Sequence, residues 1–414
     1  MKYGSVIRHY RLKLGMTQSA LASGICSISH LSKIENNSYK VNKEILSLLL
    51  ERLNIDLNTE NRKIQEIRDS IYEFIESLHY IDEDQISKKF SNLQSLEEYC
   101  LGTELINIFQ LAIFKFYVHS GDLKKSEEFK KTVTMLRDSF GGYEKLIYIT
   151  TLSSLLIQQN SPKEALNLLN YYSFKNNIDL NQGEYYYQLA LCYSILNNTE
   201  KAIIYSKKAN YYFQEECNFI KILYTQMNLA INYTRIELFE EAKIIYTKIL
   251  RGFKILNNNK LYFQNLYNYS LLLKQKKEYT LALENLEYCK RNFSEGSEHA
   301  IICSLNLIEL MIILKKDVNM ILAEIEKVKS YTTSNRYKVY RLVAQKYEYK
   351  LQRPKKRYYK FLEDKLLPNL LSNNKYFTAA EVILELAEHH CKTDIAKSNA
   401  FFEKYFLIKK EHKL

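Results

Sequence analysis

Apolar residues recur along most of this chain at intervals of three and four, the period of one helix face. From Lys63 to Leu78 they fall at Ile64, Ile67, Ile71, Phe74, Ile75 and Leu78, which predicts an amphipathic helix. Val41 to Leu53 predicts another, with Ile45, Leu48, Leu49 and Leu53 turned inward. The polar stretch Asp56 to Asn61 between them reads as the first break. Three prolines (Pro162, Pro354, Pro368) and ten glycines are all that interrupt 414 residues, so helices are expected throughout. The expected fold class is all-α.

The front of the chain carries the most specific pattern. It reads Arg8-x-x-Arg11-x-x-x-Gly15-x-Thr17-Gln18-x-x-Leu21-Ala22, then Ser27-x-x-x-Leu31-x-x-Ile34-Glu35-Asn36. Gly15 suits the left-handed residue that closes a helix. Thr17 and Ser27 stand where N-caps belong. Gly24 and Ile25 form the turn. Leu31 and Ile34 then face inward, leaving Ile28, Ser29, Ser32 and Lys33 outward as a recognition helix requires. Arg11 and Glu35 are expected to pair. This pattern resembles the phage-repressor/XRE family of helix-turn-helix domains, over about the first fifth of the chain. By position, the resemblance implies Thr17 and Gln18 as DNA anchors. It implies Ile28, Ser29 and Lys33 as base readers, with Ser27 beside them among the DNA-binding residues, and Asn36, Asn37 and Lys40 as phosphate contacts. Two departures stand out. Asn36-Asn37 replaces the usual glycine after Glu35, and Asn tolerates a left-handed turn. Ile28 stands where a polar reader is common, so it meets a thymine methyl or only packs.

The rest of the chain repeats itself. Ala202, Ala242 and Ala282 lie forty residues apart, and Ala190, Ala230 and Ser270 precede them by twelve. Tyr193, Tyr233 and Leu273 follow the earlier small residue by three. Ser126, Ala165, Ala323 and Ala396 extend the series approximately, with a degenerate unit around Lys355 to Leu370. These offsets resemble tetratricopeptide repeats, whose usual period is ~34 residues; a period of forty implies longer helices. The expectation is seven or eight helical hairpins in a right-handed α-solenoid with a concave inner surface. The chain divides into a helix-turn-helix domain (1–57), a linker helix (58–80) and a repeat domain (81–414) for peptide binding and dimerisation.

Aligned on their alanines, the three clear repeats put Gln188, Asn228 and Asn268 at one position of the first helix. Carboxamides on successive turns of a superhelix can bond an extended peptide backbone. Tyr187, Asn232, Arg235, Gln264 and Asn265 are neighbouring candidates, Arg235 suiting a carboxylate. The alternative is that these amides cap or bridge neighbouring helices. The whole arrangement resembles the peptide-pheromone regulators of low-G+C Gram-positive bacteria and their phages, the Rgg/Rap/NprR/PlcR/PrgX group. That resemblance implies a cytoplasmic homodimer binding a double-stranded DNA operator with paired half-sites. A short signalling peptide, held by inner-helix residues such as Asn228, Asn232 and Asn268, would alter the geometry of the two heads. Two alternatives remain: a repeat domain that binds a response-regulator protein, and an XRE-type repressor that needs no peptide.

Charge adds little to this picture. Lys and Arg outnumber Asp and Glu by 59 to 47, a net +12. Residues 1–57 hold eight basic and four acidic residues; the remaining excess is spread thinly and reads as solvated surface. Seven scattered cysteines without a Cys-x-x-Cys pair fit free thiols in a reducing compartment. Adjacent His389, His390 and Cys391 point about 100° apart on a helix, a poor metal site. No signal segment and no apolar run of about 18 residues stands out, so no membrane association is expected. No nucleotide-binding or hydrolase motif appears, Asp82-Glu83-Asp84 reads as a helix start, and neither a cofactor nor enzymatic activity is expected.

Overall fold

The computed structural model describes residues 3–39, 42–175 and 182–412, and no strand occurs among them. The head consists of α1 (Tyr3–Lys13), α2 (Gln18–Ala22), α3 (Ile28–Glu35) and α4 (Lys43–Arg52). Ile7, Leu21, Leu31, Ile34 and Leu49 form its core. Side chains set the helix starts: Thr17 accepts from Ala20 N, Ser27 from His30 N and Asn42 from Glu44 N. Gly15 and Gly24 take φ of +65° and +72°, and Asn37 takes +55°. Asn36 remains right-handed and caps α3, so Asn37 alone makes the left-handed turn. In α4, Leu46 and Leu50 are buried beside Leu49, whereas Leu48 is exposed. The predicted inward face was therefore rotated. Ile45 is half-buried at its edge and Leu48 lies outside it.

Helix α5 (Leu57–Tyr80) overturns the expected break. Asp56 is its N-cap, accepting from Thr59 N at 2.7 Å, and the polar residues that follow form its first turns. Polarity near a helix start is compatible with helix whenever a cap satisfies the free amides. Next come α6 (Glu83–Ser95), α7 (Glu97–Leu101), α8 (Ile106–Ser120), α9 (Leu123–Leu136), α10 (Gly142–Gln158), α11 (Pro162–Lys175) and α12 (Gly183–Ile195). Asp82 caps α6 through Gln85 N, as expected of that acidic run.

Then follow α13 (Thr199–Glu215), α14 (Phe219–Arg235), α15 (Phe239–Ile255), α16 (Asn259–Gln275), α17 (Tyr279–Asn292), α18 (Glu298–Ile313) and α19 (Val318–Tyr331). The chain closes with α20 (Lys338–Gln352), α21 (Lys355–Phe361), α22 (Leu367–Ser372), α23 (Tyr376–His390) and α24 (Ile395–His412). A π-helical segment, Leu362–Leu366, joins α21 to α22 just before Pro368, which has no amide to donate.

The repeat is plain in the backbone. Asn197, Glu237 and Lys277, forty apart, each end a helix with φ of +56°, +61° and +64°. Ala190, Ala202, Ala230, Ala242, Ser270 and Ala282 are fully buried, as small residues at helix crossings must be. Ser126 and Ala165 are equally buried, so the series extends N-terminally. It fails at the other end. Ala323 and Ala396 are exposed; Ile321, Ile325 and Val328 fill the inward face of α19, and Ser398 takes the small inward place on α24. Two compact units result: Met1–Gln188 with Glu215–Lys221, and Leu189–Gln214 with Ile222–Leu414.

Candidate nucleic-acid interface and amide cluster

The outward side of α3 is built from inside the head. Glu35, 3% exposed, accepts from Arg11 Nε at 2.5 Å, Arg11 Nη2 at 3.0 Å and Gln18 Nε2 at 2.8 Å. Arg11 Nη1 also donates to Met16 O at 2.8 Å. One buried carboxylate therefore ties α1 and the start of α2 to the end of α3, and the expected Arg11–Glu35 pair is present. Gly4 closes the other side. A Cβ there would sit 1.9 Å from Ile34 O, and its amide donates to Asn37 Oδ1 at 3.1 Å.

This framework leaves Thr17, Ser27, Ile28, Ser29, Lys33, Asn36 and Asn37 exposed, with Ile28 at 51%. Gln18 is half-buried, and its amide is engaged by Glu35. Lys40 lies outside the described residues. Tyr39, exposed and edge-on to His30 at 4.9 Å, joins the same neighbourhood. The sequence reading missed it, because an aromatic after the recognition helix carries no periodic signal.

A second structure missed by the sequence reading holds the head to α5. Glu60 is buried and accepts from Tyr10 Oη of α1 at 2.9 Å and from Tyr99 Oη of α7. Lys63 Nζ donates to Tyr10 Oη at 3.0 Å and stands 3.9 Å over the Tyr99 ring. Burial raises both phenols, and their hydrogen bonds to Glu60 add to it. His9 meets Tyr99 edge-on at 5.3 Å, and Gly102 lets it approach, since a Cβ would lie 2.3 Å from His9 Nδ1. Glu60 lies 50 residues from Tyr10 and 39 from Tyr99, beyond the reach of any local pattern.

The amide candidates fall into two groups. In the second unit, Asn228 Nδ2 donates to Ser206 Oγ at 3.0 Å, and Asn232 Nδ2 to Ser194 Oγ at 2.9 Å. Arg235, exposed at its surface, donates through Nη1 to Ser194 O at 2.6 Å. These three residues bridge helices. Asn265 is fully buried; its Nδ2 bonds Leu261 O, and its Oδ1 has no hydrogen-bond partner among the described residues. Gln264 and Asn268, four apart on α16, are half-buried and keep open surface. In the first unit, Gln188 is buried and donates to Glu184 Oε1 at 3.3 Å, while Lys221 Nζ lies 5.5 Å over the Tyr187 ring.

Among the described residues no group of three His, Cys, Asp or Glu side chains is arranged to hold a metal ion. His389 stacks on Tyr359 at 3.5 Å. No helix among the described residues is long and apolar enough to cross a membrane.

Comparison with known proteins agrees with both parts. Residues 7–59 match the helix-turn-helix family model. The chain is 24% identical over 392 residues, 90% of its length and 94% of the relative's, to the transcriptional activator NprA of Geobacillus stearothermophilus. Its fold matches the apo quorum sensor NprR of B. thuringiensis with TM-score 0.70 and 21% identity, covering 83% of this chain and 99% of that one. NprR in complex with its cognate peptide NprX gives 0.66 and 19%, covering 82% and 98%. A Rap protein complexed with competence and sporulation factor gives 0.69 and 14%, covering 84% and 99%. The family resemblance read from the sequence is thereby borne out: this chain joins a helix-turn-helix domain to the tetratricopeptide-like helical fold of the NprR and Rap proteins.

Proposed function

We propose that this chain is a cytoplasmic, DNA-binding transcriptional regulator that responds to a short signalling peptide. The observation that carries the DNA half is the exposed set Ile28, Ser29 and Lys33 on α3, a helix fixed by the buried Arg11–Glu35–Gln18 network. Thr17, Asn36 and Asn37 flank that face and serve the phosphates, together with Lys40. Gln18 acts mainly by orienting Glu35. The similarity to an activator over nearly the whole chain supports the same reading.

The peptide half rests on the amides of the repeats and on the fold shared with NprR, which binds a peptide of its own. Gln264 and Asn268 face the ligand with open surface. Asn265 Oδ1 is a buried acceptor lacking a donor among the described residues, and Asn228, Asn232 and Arg235 hold the supporting helices in place. In a homodimer, two recognition helices reach successive major grooves only when they stand about 34 Å apart. A ligand shifts that geometry by its differential affinity for the two shapes.

The test is selection of duplexes from a random pool by the full chain, followed by footprinting. Titration follows with synthetic peptides from the C-terminus of any small reading frame found beside the gene. Paired half-sites and a peptide-dependent change in affinity are expected. DNA binding that no peptide alters would leave a peptide-independent repressor; no sequence selection at low salt would remove the DNA reading.

A further inference from the structure

The first unit contains a cavity of about 510 Å³ that the reading above leaves unused. One wall is a single face of α5, where Asp69, Glu73, Glu76 and Tyr80 recur at three- and four-residue spacing. Lys115 of α8, Tyr143 of α10, Glu184 of α12 and Glu216 are among the residues that line the rest.

Charge in this cavity is unevenly divided. Glu184 is paired with two basic groups, Lys221 Nζ at 3.0 Å and His79 Nδ1 at 3.9 Å, and Lys115 acts on it from farther away. Burial alone would raise the Glu184 carboxyl, but Lys221 and Lys115 hold it well below the usual range. His79 turns its Nε2 to Glu216 at 2.8 Å. Lys115 is the residue left over. It has no hydrogen-bond acceptor and no ion-pair partner among the described residues. Burial pushes its ammonium below the ordinary value; Glu184 opposes that, and Lys221 adds to it. A half-buried ammonium that meets Glu184 only at longer range can take up an anion.

The α5 wall has the opposite surplus. Asp69, Glu73 and Glu76 place three carboxylates there; Lys89 meets Glu73 at 3.1 Å, while Glu76 has no ion-pair partner among the described residues. Tyr72 and Tyr143 also line the cavity, their ring centroids 5.8 Å apart. The volume lies in the range of ordinary small-molecule sites. We propose that this cavity binds a small zwitterion, an α-amino acid or a very short peptide, with its carboxylate on Lys115 and its ammonium at Glu76 and Glu73. Gln188 touches the cavity's Glu184, whereas Gln264 and Asn268 belong to the second unit. The cavity's α5 wall belongs to the helix that, through Glu60 and Lys63, holds the head, so occupancy bears on the element that positions α3.

The test uses the full chain. The twenty free amino acids, singly, and trialanine are screened by thermal shift and confirmed by isothermal titration. Each hit is repeated as its decarboxylated and N-acetylated counterparts. The expected result is a concentration-dependent rise in Tm that either counterpart loses. Lys115→Met should weaken the affinity about tenfold or more, and Asn268→Ala should leave it unchanged. A hit among the amino acids alone assigns a free amino acid, and a hit with trialanine alone assigns a short peptide. Labelling of native Lys115 by trinitrobenzenesulfonate is followed as well, which needs no folded variant, and a hit should protect it. No hit, or a hit that neither protects Lys115 nor loses affinity in a folded Lys115→Met variant, overturns the proposal.

Discussion

Glu35→Leu removes the one carboxylate that compensates Arg11 inside the head. Arg11 and Glu35 are 8% and 3% exposed, and the substitution deletes the hydrogen bonds of 2.5 and 3.0 Å between them. Arg11 keeps a single bond, to Met16 O. Leaving one partner of a buried pair uncompensated costs roughly 3–5 kcal/mol. A whole domain is stable by only about 5–15 kcal/mol, so α1–α3 should open on this change. Arg11→Met with Glu35→Leu removes both charges, and similar cases are about neutral. The double variant should therefore recover most of the loss, a coupling that a double-mutant cycle measures. The chain has no tryptophan, so the assay is hydrogen exchange by mass spectrometry on the α1–α3 amides across a urea series. A single variant within ~1 kcal/mol of wild type would refute the reasoning, as would a double variant no better than the single.

Other consequences are more local. Lys277 ends α16 at φ +64°, and Lys277→Gly should stabilise the second unit by about 0.5–1 kcal/mol, read as a higher urea midpoint. Asn228→Ala breaks the bond to Ser206 and should cost roughly 1–2 kcal/mol of stability, whereas half-buried Asn268→Ala should leave the urea midpoint unchanged and abolish the response to peptide. A normal peptide titration by Asn268→Ala would remove that contact. Burial lowers the His9 pKa below 6.5; Glu98 and Glu60 oppose this, and Lys13 and Lys63 add to it. The unfolded chain then takes up the proton first, so stability should be full above about pH 6.5 and fall as pH drops toward the folded-state value. An imidazole titration midpoint above 6.5 by NMR would contradict that sign.

The head was legible in the sequence because its signals are local: Gly15, Gly24, Thr17 and Ser27 each act within a few residues. The central repeats were legible because Ala202, Ala242 and Ala282 mark crossings where nothing larger fits. Ala323 and Ala396 misled because a small residue alone does not fix the face; Ile321 and Ser398 do so through partners on neighbouring helices. Asp56 to Asn61 looked like a break because a capped first turn and a loop share a polar composition. Glu60, Tyr10 and Tyr99 could not be found at all, since a buried carboxylate between two phenols has no spacing. The amides were visible as a register, but whether each turns to a neighbouring helix or to open space depends on partners such as Ser194 and Ser206.

DNA binding by the full chain can be measured by fluorescence anisotropy on a duplex selected from a random pool, over a salt series, for wild type and Lys33→Ala. Wild type should bind with an affinity that falls steeply with salt and drops on an unrelated duplex. Lys33→Ala should lose roughly 1–3 kcal/mol on the selected sequence and discriminate less. Equal affinity for selected and unrelated duplexes, or no binding at low salt, would contradict a regulator that reads DNA through α3.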